Sequence, residues 1–261
     1  MNSLRVLLIG GLISFRALFS WLSPWIYVPT MLVAPIFQIL LFAYIGRSAG
    51  VQSDGFFVVG NAVQYAAIPC LFGMGHAIEG ERWTQTLGLV LATPARRLPL
   101  FLGRALPVVV NGFFVALFSI AVGSLLLRVP VPGGAWAPLL VVLAVASASC
   151  TGLGLVTAAL GLRVRETAVL TNVLFGIMLV FCGANVPLSR LPGWMATVGT
   201  GLPLTHAIAA ARLVATGSSL GSVAGLVGSE ALVGLGYGAV GLLALRLLEA
   251  ESRRRATLEI Q

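Results

Sequence analysis

The sequence predicts an all-α integral membrane protein with six transmembrane helices. Of its 261 residues, 58% are hydrophobic and only 9% are charged, whereas soluble domains carry about 25% charged residues. A helix needs about 20 apolar residues to cross a hydrocarbon core of about 30 Å. Because the apolar runs are continuous and do not alternate with polar residues, they favour helices over barrel strands. The six predicted spans cover residues 25–46, 56–78, 104–127, 138–162, 167–187 and 222–248.

The distribution of arginine predicts how the chain is oriented. All 16 basic residues are arginine. With both termini inside, twelve of them lie on the inner side and four on the outer side, namely Arg47, Arg128, Arg190 and Arg212. Such an excess is typical of cytoplasmic loops. We therefore expect a multi-pass protein of the cell inner (cytoplasmic) membrane with both termini cytosolic. The net charge of +8 then reflects topology and does not indicate nucleic-acid binding.

Residues 1–23, before the first span, predict an amphipathic helix that lies in the membrane interface. At 100° per residue, its polar side chains fall within about 60° of one another, and the rest of the helix is mostly apolar. A narrow polar stripe of this kind suits a helix half sunk at the headgroups. The alternative is an apolar N-terminus that frays. The polar stripe consists of Asn2, Arg5, Arg16, Ser20 and Ser23.

Two connections are too long or too charged for simple turns. Residues 79–103 join spans two and three as a cytosolic elbow with charged and turn-forming residues. Residues 188–221 join spans five and six, and their apolar part is interrupted by Pro192, Gly193 and Pro203. Irregular backbone at membrane depth must be covered by protein or face a water-filled vestibule. We therefore expect two short re-entrant helices in the outer membrane face.

Several kinds of chemistry are absent from the sequence. The chain has no lysine, so it lacks the GxxxxGK[ST] phosphate-binding loop of an ATPase. It also lacks HExxH and clustered aspartates. Cys70, Cys150 and Cys182 have no metal-ligand spacing, and we interpret them as small buried hydrophobes. His76 and His206 fall at opposite membrane faces. No catalytic residue, cofactor or metal site is expected in this chain.

The polar residues inside the spans admit more than one interpretation. Glu230 is the one ionisable residue within a span, and such a group is costly there. It is expected to pair with an outer arginine such as Arg212 or to reach the interface, with proton coupling as the alternative. The uncharged polar residues either form interhelical hydrogen bonds or line a substrate pathway. They are Gln38, Asn61, Gln64, Thr171, Asn172 and Asn185.

Small residues predict close helix packing near the last span. Gly217, Gly221 and Gly225 follow one another at intervals of four, and Gly234 and Gly238 continue the series. Small residues on one helical face allow helices to approach closely and gain van der Waals contact.

Two segments resemble permeases of the type-2 ABC exporter family. The family pattern near ERE-x-GTLE-x-LLxTP follows the second span, and here it is matched by Glu81, Arg82, Thr86, Leu87, Leu91, Thr93 and Pro94. Gln85 and Gly88 depart from it, where glycine and glutamate are usual. The second resemblance lies in the outer segment, at Pro187, Leu191, Pro192, Trp194, Pro203, Leu204, Thr205, His206 and Arg212. The six-span layout extends the resemblance over nearly the whole chain.

The resemblance implies partners and site residues. In that family the elbow is a coupling helix that seats in a cleft of a separate ATPase subunit, which implies this role for Glu79, Glu81 and Arg82 and for the matching residues up to Pro94. Two permease chains, identical or different, and two ATPase subunits form the exporter, with ATP and Mg on the ATPase. Spans one, two and five would line the pathway, with Gln38, Asn61, Gln64 and Asn172 as polar contacts and Phe175 and Phe181 as apolar gates at the subunit interface. Gly88 implies the loss of one polar contact with the ATPase.

The exported compound is predicted only by class. Members of the family export lipophilic drugs or lipid-linked glycans. The five tryptophans lie near predicted span ends, which aromatic belting explains, and there are only four tyrosines to stack on a glycan. This favours a lipophilic small molecule or drug, with a lipid-linked polysaccharide as the alternative. Two other classes are an ion-coupled secondary transporter and a membrane-embedded head-group transferase.

Overall fold

The computed structural model describes residues 24–83, 97–161, 163 and 167–255, with the side chains of 77–83, 97–101 and 248–255 excepted. The described residues are helical and contain no strand, which confirms the all-α prediction. The predicted interfacial helix, residues 1–23, and the middle of the elbow, residues 84–96, lie outside the described part of the chain.

The helices follow one another in a simple order, and each is named here by its bounds. They are α1 (Pro24–Tyr27), a π-helix (Val28–Val33), α2 (Ala34–Ala49), α3 (Asp54–Tyr65), α4 (Ala67–Trp83), α5 (Arg97–Leu127), a 3-10 turn (Gly133–Ala135), α6 (Trp136–Leu160), α7 (Thr167–Phe181), a 3-10 turn (Leu188–Arg190), α8 (Gly193–Thr200), α9 (Thr205–Ala215) and α10 (Ala224–Arg255).

Five segments of the described chain are long and apolar enough to cross a membrane, and the pair α8–α9, bent by 87°, would make a sixth if it were one span. The five are Trp25–Ala49, Asp54–His76, Leu102–Leu127, Gly133–Leu160 and Ala224–Leu247. They overlap the predicted spans one, two, three, four and six. The chain is therefore embedded in a membrane.

The fifth predicted span, residues 167–187, is shorter in the structure. Its helix α7 ends at Phe181 after 15 residues. Gly183 adopts a positive φ of 76°, a conformation in which glycine carries no Cβ penalty. An α-helix cannot continue through this residue, so the last part of the predicted span is irregular backbone.

The core is built around α6, which packs against α4, α5, α7, α9 and α10. The closest approach is to α10. A Cβ added at Gly234 would lie 2.5 Å from the Cα of Ser149, and one added at Gly152 would lie 2.6 Å from the carbonyl oxygen of Gly234. A Cβ at Gly241 would lie 2.7 Å from the Cβ of Leu155. Glycine is needed at these positions because any side chain would force the two helices apart.

The packing prediction was wrong for three of the glycines. A Cβ added at Gly217 or Gly225 would meet nothing within 4 Å, and one at Gly221 would meet only the nearby Ser219. Gly217 and Gly221 lie in the connection before α10, so their spacing of four does not place them on one helical face. Gly234 is a true contact, and the backbone nitrogen of Gly238 lies 3.1 Å from the Cβ position of Gly152.

We expect Gly234→Val to destabilise the protein by about 1–3 kcal/mol, the usual cost of overpacking a core. The melting temperature of the detergent-solubilised chain measures the change. Gly236→Val is the matched control, because it makes the same substitution two residues away on α10 where a Cβ has open space. Equal melting temperatures for the two variants would contradict the close contact of α6 with α10.

Candidate functional site

Three of the predicted pathway amides form one hydrogen-bonded cluster. Gln38 Nε2 donates to Asn61 Oδ1 at 3.0 Å and to Gln64 Oε1 at 2.7 Å. Asn61 Nδ2 donates to Asn185 Oδ1 at 2.8 Å. Asn61 and Gln64 are fully buried. The cluster therefore joins span one, span two and the segment that follows α7. Asn61 also donates to the Phe57 carbonyl and Asn185 to the Leu179 carbonyl, whereas Gln64 Nε2 has no acceptor among the described residues.

Asn172 does not join this cluster. It is exposed, and its Nδ2 donates to the carbonyl of Ala168 within its own helix at 2.9 Å. The apolar side chains of Val169, Val173 and Val180 are exposed on α7 beside it. Because residues three, four and seven positions apart share one helical face, α7 presents an exposed apolar face with one amide in it.

The two predicted gate phenylalanines lie in the middle and at the last residue of α7. Phe175 packs edge to face on Tyr65, with ring centres 6.4 Å apart. Phe181 packs on Trp194 of α8 with ring centres 5.9 Å apart. Both are partly buried against the core. The structure thus places one of them beside span two and the other beneath the outer helices.

Glu230 differs from its prediction, since it neither pairs with Arg212 nor reaches the interface. Its side chain is fully buried in α10. Oε1 accepts a hydrogen bond from the backbone nitrogen of Leu204 at 2.7 Å, and Oε2 accepts one from Ala207 at 3.1 Å. These amides belong to the N-terminus of α9, where the helix dipole favours a negative charge. A carboxylate from another helix therefore acts as the cap of α9.

Arg212, near the other end of α9, binds backbone carbonyls. Its guanidinium donates to Gly183 at 2.9 Å and to Ala184 at 2.8 Å. It also donates to the carbonyl of Phe56 at 3.1 Å, and its Cζ lies 3.4 Å from the centre of the Phe56 ring. A Cβ at Gly60 would lie 2.5 Å from the Ala184 carbonyl oxygen, so glycine permits this approach. Arg212 thus attaches α9 to the start of span two and the end of α7.

The remaining residues of the outer motif shape the hairpin formed by α8 and α9. Thr205 Oγ1 donates to the carbonyl of Gly199 at 2.7 Å, and His206 Nε2 lies 3.1 Å from the last carbonyl of α8. Cys182 Sγ donates to the carbonyl of Pro203 at 3.2 Å. These contacts hold the two helices at their sharp angle. The motif residues therefore stabilise the hairpin.

The two other prolines of the motif begin helical segments. Pro187 precedes the 3-10 turn Leu188–Arg190, and Pro192 precedes α8. Proline suits such positions because its fixed φ and missing N–H cost nothing at a helix start. Trp194 follows in the first turn of α8, where two thirds of its surface is exposed.

The whole arrangement was compared with known families. The family model of the ABC-2 type transporter matches residues 11–215. The chain belongs to the ABC-2 type transporter family. It is thus a transmembrane permease of an ABC transporter, a class that normally works with an ATPase partner. No curated protein matches the chain.

The predicted coupling residues of the permease are only partly described. Glu79, Glu81 and Arg82 fall in the last turns of α4, but their side chains are outside the described set. Thr86, Leu87, Leu91, Thr93 and Pro94 lie outside the described residues altogether. The helices on either side, α4 and α5, pack against each other. The coupling role therefore stays a prediction.

The described residues of the permease contain no group of three or more His, Cys, Asp or Glu side chains placed to hold a metal ion.

One polar contact was not anticipated from the sequence. Asn111 of α5 accepts a hydrogen bond from the Tyr27 hydroxyl at 2.6 Å. Asn111 is an uncharged amide inside predicted span three, just as Gln38 and Asn61 are amides inside spans one and two. The same sequence signal, a polar residue within an apolar run, could therefore have identified it.

We expect Glu230→Ala to loosen the α8–α9 hairpin, because two buried N–H groups lose their acceptor at about 1–3 kcal/mol each. Hydrogen exchange of the amides at 204–207 should accelerate by at least tenfold, and the melting temperature should fall. Ser229→Ala, one residue earlier on α10, is the control. Unchanged protection of these amides in Glu230→Ala would show that the carboxylate is not their cap.

Proposed function

We propose that this chain is the transmembrane permease subunit of an ATP-driven ABC exporter that moves a lipophilic small molecule or drug across the cytoplasmic membrane. Family membership over residues 11–215 carries the proposal. The lysine-free sequence supports ATP hydrolysis on a separate subunit, because no residue here can supply the lysine of a phosphate-binding loop. ATP and Mg then bind to a separate ATPase subunit, with two copies in the complex.

The inner end of the α4–α5 pair is the proposed docking point for the ATPase. Residues 79–94 connect two helices that pack against each other, and the second continues through the membrane to Leu127. A segment in direct continuity with two spans transmits closure of the ATPase as a helix shift. The excess of arginine on this side supports its cytosolic placement and that of both termini.

The exposed face of α7 is the proposed contact with a second permease chain. Asn172 lies on this face, and its amide would be poorly satisfied by lipid. Span one also has an exposed apolar face, with Phe37, Leu41 and Tyr44 one helical turn apart. A second copy would cover Asn172 and place Phe175 and Phe181 near the line where the two chains meet.

The amide cluster supports a lipophilic substrate over a glycan. Among the four amides of this cluster, only Gln64 Nε2 lacks a hydrogen-bond acceptor in the described part of the chain, so few donors remain for sugar hydroxyls. A lipid-linked polysaccharide exporter is the alternative, and its channel would offer more free polar groups. An ion-coupled secondary transporter is less favoured because Glu230 is engaged as a helix cap.

We expect replacement of Glu81 and Arg82 by alanine to weaken recruitment of the ATPase subunit about tenfold, the loss of roughly one charge-assisted hydrogen bond. Co-purification and stimulated ATPase activity measure this, and membrane insertion should be normal. Arg190→Ala, on the opposite side, is the matched control. Undiminished recruitment by the double variant would place coupling elsewhere in the chain.

We expect Asn172→Leu to lower transport severalfold while leaving the melting temperature nearly unchanged, because the side chain is exposed in the isolated chain. Asn61→Leu should instead destabilise the fold, because it leaves Gln38 and Asn185 short of a partner. Val169→Leu tests added bulk on the same face of α7. If Asn172→Leu transports at the normal rate and selectivity, the amide has no role in the pathway.

A further inference from the structure

The inner part of span one contains a π-helix. It covers Val28–Val33, and the amide of Ala34 bonds to the carbonyl of Pro29, five residues earlier. A π-helix is rare, usually no longer than one turn, and frequent at functional sites. Pro29 contributes no N–H, so the helix is weakened at the point where it enters the membrane.

Span two is interrupted between α3 and α4. The break falls at Ala66, whose amide bonds to Val63, three residues earlier. Pro69 follows and has no N–H, so the carbonyl of Tyr65 loses its usual helical donor. Broken helices within membranes are tolerated where neighbouring side chains satisfy the freed groups.

Span three has its own weak point at Pro107, which lies inside α5. This proline removes the hydrogen bond to the carbonyl of Gly103. Proline is one of the few identified causes of a sharp helix kink. Each of the first three spans therefore contains a weak point, although α5 continues through Pro107 as one helix.

Two hydrogen bonds join the spans near these weak points. The Tyr65 hydroxyl donates to the carbonyl of Thr30 in the π-helix at 3.2 Å, which joins span two to span one. The Tyr27 hydroxyl, just before the π-helix, donates to Asn111 one turn after Pro107, which joins span one to span three.

Close approaches at two glycines join span two to span three. A Cβ at Gly112 of α5 would lie 3.4 Å from the carbonyl oxygen of Ala66, which joins span three to the break in span two. A Cβ at Gly73 would lie 3.1 Å from Val108, beside Pro107. Ala66 faces Gly112, and Pro107 lies beside the residue that faces Gly73, so the three weak points lie on neighbouring helices within about two helical turns of one another.

We propose that Val28–Val33, Ala66 and Pro107 form a single hinge region on which the inner ends of spans one, two and three bend relative to their outer parts. The inference rests on the proposed function, because the inner ends of α4 and α5 carry the coupling segment. Tyr65 and Tyr27 are its positioning residues. Their hydroxyls hold the described conformation, since each gives up a hydrogen bond when the inner ends move.

The part of α5 beyond Pro107 packs into the core. Val115, Ala116, Ser119 and Ile120 of α5 are buried in the core, and Ser119 binds the carbonyl of Val115 within the helix. Bending within this stretch of the bundle lets the coupling segment move while the outer hairpin stays attached through Arg212 and Glu230. A rigid bundle would instead move these parts together.

Hydrogen-exchange mass spectrometry of the full permease, alone and in complex with its ATPase, tests the hinge. Tyr65→Phe keeps the ring on Phe175 and removes only the hydroxyl. We expect exchange of the amides at 28–34 and 65–70 to rise about fivefold, the open population gained when one hydrogen bond is lost. Tyr27→Phe should do the same at 28–34. Tyr237→Phe, a hydroxyl deletion on α10, is the control.

In the complex, we expect nucleotide trapping by vanadate to change exchange at 28–34 and 65–70 but not at 115–127. Tyrosine variants that behave like Tyr237→Phe, or equal changes in the inner and outer parts, would overturn the hinge. Failure of any ATPase to bind would instead contradict the proposed function. The variant comparison on the permease alone still decides the hinge in that case.

Discussion

Inside the hydrocarbon core, every polar group must find its partner within the protein, and this constraint explains the main contacts of the structure. Glu230 binds two amides at the start of α9, and Arg212 binds three carbonyls from two other segments. Neither charge is paired with the other. Each satisfies backbone that irregular geometry has left without partners, so the two charges attach the outer hairpin to the bundle. The amides of spans one and two meet the same requirement by binding one another and a backbone carbonyl, except that Gln64 Nε2 has no acceptor among the described residues.

Much of the fold could be predicted, because crossing a membrane requires a run of apolar residues of a given length. This hydropathy signal fails at individual positions within a span. The predicted fifth span extended to Pro187, yet the helix ends at Phe181, and Gly183 adopts a positive φ in the turn that Arg212 binds. Pro69 was visible in span two, but hydropathy does not distinguish a continuous helix from one broken at Ala66. The glycine series failed for a similar reason, since spacing shows a shared face only where the helix exists.

The sequence identified the polar residues of the candidate site better than it identified their partners. Gln38, Asn61 and Gln64 were expected to face neighbouring helices, and they meet in one cluster. Asn172 belonged to the same predicted group but lies on an exposed face of α7, because composition carries no information on which face a residue occupies when most of the helix is apolar. Glu230 was expected near an arginine because charges attract. In the structure its partners are instead two backbone amides at the start of a helix.

Under the proposed function, the permease moves its substrate only when an ATPase on another chain drives it. Reconstitution into liposomes tests this most directly, with transport of a lipophilic dye measured for the purified permease alone and together with its ATPase. We expect dye accumulation only when the ATPase and ATP are both present. Accumulation by the permease alone, without nucleotide and in response to an ion gradient, would contradict the account.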